Sequence, residues 1–498
     1  MHLSSPPTPD PKAPPRLRRP HRQLLIVPPR TIDDLVPDDH PVRATWTLVP
    51  RWDWTRFLQG LRARGARPGR AATDPQRWIA LWLYASIEGV GCGRQWARLC
   101  RESDPYQWLG GGVPLNYHTL TDFRVDPAEA LDDLLTQRIA VLTRAQIVSV
   151  ACLAQDGTRL RASAGINSFG ERDTLERHLE EARAHREAVR QAAADPTLSA
   201  RPKAARERGA RERLERLEQA RVELAKVEQA QAQQKDKPSK DHPARASATD
   251  PEARRMRMAE GGTRPAYNLE LATDGTSRAR VGVEMTHAGR DAGQDAPMRD
   301  QVEARADEAV EEPRIDGGFV SLEAIDRAAV EEVTIYAPVP KPRTPGRDRF
   351  APKATDRAAV AAWRVRRRTP AAQQVYQQRS ATMETIHGEL KIERGLGRLL
   401  VRGLKEVPCA ALWSALAYHV VPFGAILRGG EERKGSVWSA RGSRVEVPRD
   451  TNQVARPSHD DQTSPSDPTP SRRGWRGSAQ SLKHGEGSKS SQAHSGPG

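Results

Sequence analysis

Between residues 171 and 235 the chain becomes dense in Glu, Arg, Ala and Gln and almost loses its apolar anchors. This stretch constrains the fold more than any other, because the segments on both sides of it read as strands. Leu175, Leu179 and Ala182 mark one helical face. Pro196 and Pro202 interrupt it, and Leu214, Leu217, Leu224 and Val227 mark a second. Two charged helices with one thin apolar seam predict a hairpin, and the seam is too short for a long coiled coil. Any sheet formed by the flanking strands must therefore close around an inserted helical hairpin. Residues 234–252 read as a polar linker back to the core.

Upstream of the insertion, Ile147 to Leu153 is a short apolar run with two Val and no helical period. It predicts a buried strand ending at Asp156-Gly157-Thr158. Downstream, Tyr267 to Thr273 and Ala279 to Thr286 predict two strands joined by a hairpin turn at Asp274-Gly275-Thr276-Ser277. Glu332 to Ala337 predicts another strand. Asp316-Gly317-Gly318 lies between these, after a segment (Glu311 to Ile315) that is a poor strand by composition.

The flanks are helical. In residues 31–140, Trp46, Trp54, Phe57 and Leu61 recur at helical spacing. Asp74 and Pro75 open a strongly apolar helix carrying Trp78, Ile79, Trp82, Leu83 and Ile87. Gly89, Gly91 and Gly93 break it before a helix with Trp96 and Leu99. Helix, glycine turn and helix make either a DNA-reading unit or a plain bundle with core tryptophans. Residues 371–428 are helical again. Residues 1–30 read as a disordered basic arm and 429–498 as a disordered tail.

The net charge of +15 favours a polyanionic partner, since each neutralised phosphate releases counterions. Cys92, Cys100, Cys152 and Cys409 form no C-x-x-C pair and no zinc spacing, which argues against a disulfide framework. No secretory signal opens the chain, and no apolar run was expected to reach the roughly 20 residues of a membrane helix. These features place the expected location in the cytoplasm, with no membrane partner.

Chemistry of phosphodiesters by two metal ions needs carboxylates converging on ions about 3.5–4 Å apart. Asp156 closes an apolar strand and precedes Gly, but Asp-Gly is equally a common turn pair. Asp316 before Gly-Gly has the same two readings. Glu384 lies beside an apolar helical face, where most Glu residues are simply solvated. Asp295 reads as a surface aspartate rather than a fourth acid. Tyr267 and Asn268 read as structural: a Tyr in the sheet and an Asn closing a local hydrogen bond.

The wording around the acids is more specific. Asp156-Gly157-Thr158-Arg159-Leu160-Arg161-Ala162, Gly261-Gly262-Thr263-Arg264-Pro265-Ala266-Tyr267-Asn268 and Asp316-Gly317-Gly318-Phe319 occur in that order. Tyr376, Arg379, Glu384 and Lys391 follow, then Arg394-Gly395-Leu396 and Val401-Arg402-Gly403-Leu404. Leu120, Phe123 and Arg124 stand upstream. Over about residues 24–428 the chain resembles the DDE transposases of bacterial insertion sequences, most closely the eleven-eighty-two family. One departure is His419, where the family usually carries Asn.

The resemblance implies an α/β fold: an RNase H-like mixed sheet flanked by helices, an all-helical N-terminal DNA-binding domain (31–140) and a catalytic domain (141–428) with its helical insertion at about 171–250. It implies a DDE transposase, an endonuclease and strand transferase. Asp156, Asp316 and Glu384 would be the catalytic, metal-binding acids for Mg²⁺ or Mn²⁺, two ions in all. Tyr376, Arg379, Lys391 and Arg394 would hold DNA. The implied partner is double-stranded DNA, as terminal inverted repeats and target, bound by a homodimer in the cytoplasm at the nucleoid. Two alternatives stand beside it: a defective relative that only binds DNA, and a helical scaffold acting through residues 171–235.

Overall fold

The computed structural model describes residues 17–18, 25–26, 30–59, 61, 63–65, 71–113, 115–125, 127–193, 200–233, 243–342, 345–427, 436–438 and 444–446. The expectations for the basic arm and the tail fall almost wholly outside these residues. Besides a short helix, Thr55–Gln59, six N-terminal helices come first: α1 (Pro41–Leu48), α2 (Pro75–Ile87), α3 (Gly93–Glu102), α4 (Asp104–Gly110), α5 (Tyr117–Val125) and α6 (Ala128–Arg144). Asp74 caps α2 as expected, its carboxylate accepting from the Gln76 N–H at 3.0 Å, with Pro75 at the first helical position. The glycine break after α2 is a close crossing. Gly89 has φ of +69°, and a Cβ there would collide with the Glu393 carbonyl oxygen.

The first strand of the central sheet is β1 (Leu153–Arg161), shifted toward the C-terminus of the expected Ile147–Leu153 run. The apolar run is mostly a turn leading into it. The strand itself alternates, with Thr158 and Leu160 buried and Arg161 exposed, so its signal is a period of two rather than continuous apolarity. The insertion then forms the expected hairpin, α7 (Arg172–Ala193) and α8 (Ala200–Ala232). Leu175, Leu179, Ala182, Leu214, Leu217, Ala220 and Leu224 make its apolar cluster. After it come β2 (Arg254–Arg257), β3 (Thr263–Asp274) and β4 (Arg280–Thr286), with the hairpin turn at 274–279.

β3 is the centre of the sheet, antiparallel to β1, β2 and β4. Two extended segments continue it beyond β1. Arg314 bridges Ala154 in parallel, and Tyr336 bridges Arg314 in parallel. The Arg314 N–H donates to Leu153 at 2.7 Å, and the Ile315 N–H to Tyr336 at 3.0 Å. Thus the segment before Asp316 pairs with the sheet despite its acidic composition and Pro313. Backbone hydrogen bonds carry it, so side-chain patterning could not reveal it. The Glu332–Ala337 segment joins the sheet through one bridge rather than as a full strand.

The remaining helices are α9 (Asp295–Ala306), α10 (Leu322–Val330), α11 (Ala358–Arg368), α12 (Pro370–Gly388) and α13 (Val407–Leu427). Contrary to the sequence expectation, α13 is long and apolar enough by length and composition to cross a membrane. Two thirds of its apolar window is buried inside the protein, as in a core helix. It packs on α1, α2, α5, α6 and β4. One apolar cluster consequently runs from the N-terminal helices through α13 into the sheet, without a break at residue 140. His419, the departure noted above, is fully buried in α13 and accepts the Arg280 backbone N–H at 3.1 Å. Burial and the nearby Arg138 and Arg280 charges hold its pKa well below the usual value, so the neutral ring is the acceptor.

Candidate active site

Asp156 sits in β1 and Asp316 just beyond the parallel segment beside it. Adjacent parallel strands bring the ends of distant segments together, and here α12 crosses over both. Arg379 of α12 is buried and reaches Asp156 Oδ2 at 3.1 Å and Asp316 Oδ1 at 3.4 Å. Tyr376, one turn earlier, donates to Asp316 Oδ1 at 3.4 Å. Its ring lies under the Arg379 guanidinium at 5.4 Å and the Arg367 guanidinium at 4.7 Å. Asp156 also accepts the Gly157 N–H at 3.0 Å. Burial raises the Asp156 pKa, Arg379 pulls it down and the Asp316 charge raises it further.

The structure therefore brings four sequence-predicted residues together: Asp156, Asp316, Tyr376 and Arg379. Glu384 shares α12 but is exposed, and its carboxylate accepts from Ser380 at 2.7 Å. Among the described residues, no three His, Cys, Asp or Glu side chains stand in metal-holding geometry. Lys391 lies beyond α12 in a π-helical turn, Glu389–Glu393, half-buried. Burial lowers its pKa, with Glu260 opposing. Arg394 ends that turn and is buried. Its guanidinium bonds Glu389 at 2.9–3.0 Å and the Ile87 carbonyl at 3.0 Å, tying the turn to α2. The π turn separates α12, with Glu384, from Arg394, so no single α-helical face runs through Glu384, Lys391 and Arg394.

Sequence reasoning missed a second acidic group. Glu270 of β3 is fully buried, and Asp291 lies in the loop between β4 and α9. The Asn268 side chain donates to Glu270 Oε1 at 2.7 Å and to Asp291 Oδ1 at 2.8 Å. Burial, then the Asp291 and Asp156 charges, push the Glu270 pKa up to about 8. Asp295, expected at the surface, is buried in the first turn of α9. Asn268 was expected to close a local bond, and it does so between two acids. Tyr267 donates to buried Asp250 at 2.6 Å. The signal for Glu270 was available as a charged residue inside an otherwise apolar strand, Tyr267 to Ala272.

Comparison with known families gives two matches. Residues 30–126 match a transposase domain (DUF772), and residues 344–421 match a transposase DDE domain. No curated protein and no solved structure matches the chain. The second match spans Tyr376, Arg379, Glu384 and Lys391, whereas Asp156 and Asp316 lie outside both. The first spans the helices that pack under α13, the second the helix that carries Arg379 to the two aspartates. Together the two matches indicate a transposase of the insertion-sequence type.

Proposed function

We propose that this chain is a transposase of the eleven-eighty-two type, with an RNase H-like catalytic core, that cleaves element ends and joins them to target DNA. One observation carries the reading. Asp156 and Asp316, far apart in sequence, converge on Arg379 of the helix that also bears Glu384. Three antiparallel strands followed by two parallel segments support the RNase H-like core.

The donor set suits Mg²⁺ or Mn²⁺, which take carboxylate oxygens and keep waters. Asp156 and Asp316 would hold the metal, with Glu384 contributing from α12. When bound, two such ions supply activation of the attacking oxygen and stabilisation of the leaving one. Arg379 does the positioning: its planar fork fixes both carboxylates at once and offsets their mutual repulsion. Tyr376 fixes Asp316 through its hydroxyl, so it serves alignment and is not a nucleophile. Lys391 and Arg161 offer cations to flanking phosphates. In the helical region α2 is buried, and α3 presents exposed Arg94 and Arg101 toward a DNA backbone. The partner is double-stranded DNA, inverted repeats and target, held by a homodimer in the bacterial cytoplasm.

The test is cleavage of a supercoiled plasmid carrying the element's ends, with Mg²⁺. Asp156→Ala should lower the rate at least about 10³-fold, the scale lost when a principal transition-state contact is removed. A second reading, a relative that binds DNA without cutting it, is favoured by the exposed Glu384 turned to Ser380. DNA binding without cleavage in both proteins would establish that second reading.

A further inference from the structure

Several carboxylates in this fold have a cation beside them, while Asp250 and Asp274 are buried on hydroxyl and backbone donors instead. Asp356 has Arg364 at 2.7 Å, Glu223 has Lys226 at 2.7 Å and Arg254 at 2.5 Å, and Glu389 has Arg394 at 2.9 Å. Asp156 and Asp316 share Arg379. Glu270 and Asp291 stand side by side without a cation. Among the described residues, no Lys or Arg forms an ion pair with either; the neutral Asn268 amide joins them, and the two acids also interact directly.

Glu270 is 0 % exposed, and its Oε2 has no hydrogen-bond partner among the described residues. The Gln155 amide beside it donates instead to the Gln294 carbonyl at 3.0 Å. That free oxygen points into a defined place. A Cβ on Gly157 would stand 2.9 Å from Glu270 Oε1, 3.2 Å from Oε2 and 2.9 Å from Asp291 Oδ1. A Cβ on Gly318 would stand 2.9 Å from Asp291 Oδ2. The two acids thus occupy a slot kept open by one glycine of each aspartate motif. A buried acid without a cation holds its proton instead, and a divalent cation from outside would displace that proton and take its place.

This slot is separate from the Asp156 pair. In the β1–β3 register Asp156 faces Leu271 and Gly157 faces Glu270. Successive residues of a strand point to opposite faces, so Asp156 and Glu270 do as well. Asp291 is half-buried, which leaves the slot an entrance. Two carboxylates suit a hard divalent cation of the Mg²⁺ or Mn²⁺ type, with the Asn268 N–H groups holding them in place rather than ligating the ion.

We propose that Glu270 and Asp291, with Asn268 between them, form a divalent-cation site on the face of the sheet opposite Asp156. Such an ion would clamp β3 and the loop after β4 against the Gly157 and Gly318 segments, and so set the positions of both aspartates. The site stands on the geometry of β3 and does not rest on the transposase reading.

The test counts Mn²⁺ ions per chain by electron paramagnetic resonance titration of the full-length protein, with no DNA present. Wild type should bind one more ion per chain than Glu270→Gln or Asp291→Asn. Equal counts in wild type and both variants would overturn the site, as would a wild type that binds none. If Glu270→Gln does not fold by circular dichroism, Asp291→Asn at the half-exposed position decides the matter alone, on the same two outcomes.

Discussion

Around α13, Trp82 and Trp413 pack with ring centroids 6.3 Å apart, and Trp82 stacks on Trp96 at 4.9 Å. Each of the first two gives its indole N–H to a backbone carbonyl, Leu120 at 3.1 Å and Arg124 at 3.0 Å. At the other end of the same continuous core, β1 and β3 bury Asp156 and Glu270 with more acidic oxygens than donors. The first region uses burial for packing, and pairs some of its polar atoms while leaving others, such as the Trp96 indole N–H, without a hydrogen bond among the described residues. The second keeps charge in a low-dielectric place, which destabilises the fold locally but prepares it to take up cations. Stability and function are therefore written in different parts of one core.

The sharpest way to break this contrast is Trp413→Ala. Loss of a fully buried indole at the junction of helices and sheet should cost about 3–5 kcal/mol, read as a lower urea midpoint. An unchanged midpoint would mean that α13 is not the keystone of the core. Next, Arg379→Lys keeps the charge but loses the planar fork between two carboxylates. Cleavage should fall about 10–100-fold, with a melting temperature within a few degrees of wild type. A large fall in melting temperature instead would make Arg379 a packing residue.

Glu270 supplies a pH test. Its folded pKa is raised to about 8 from an ordinary 4.5. Between those values the folded acid stays protonated while the unfolded one ionises, so unfolding releases a proton. Stability from this group is full below about 4.5 and is lost as pH rises through about 8. Urea midpoints in EDTA should decline across that window, and Glu270→Gln should flatten the decline. The smallest effect concerns a buried charge in the packed region. Arg138 is buried, stacked on Trp52 at 4.2 Å, with its guanidinium nitrogens unpaired among the described residues. Arg138→Met should raise stability by about 1 kcal/mol, because it removes an unpaired buried charge and keeps the volume. A loss in the melt would show that the charge has a partner.

Much of the fold was legible locally. The Asp74–Pro75 cap, the hairpin at 274–279 and the seam of Leu175, Leu179, Leu214 and Leu217 each depend on residues a few positions apart. The two Asp-Gly motifs also meet in space, where Asp156 and Asp316 share Arg379. What was hidden is non-local. The segment before Asp316 has the composition of a loop and joins the sheet through backbone bonds to β1. Arg394 looked like a free cation, yet its charge is used on Glu389 and Ile87, far away in chain or turn geometry.

Periodicity and capping, which act over one or two turns, thus determined the helices and the hairpin insertion, while the candidate acids Asp156, Asp316 and Glu384 came from the family resemblance of the motifs around them. Tertiary structure alone decided which acids meet. It placed Arg379 between Asp156 and Asp316, left Glu384 exposed, and set Glu270 against Asp291 across the Gly157 slot. The physical reason is that carboxylates interact through space. Burial and register fix their mutual distance, and neither is a property of any short stretch of chain.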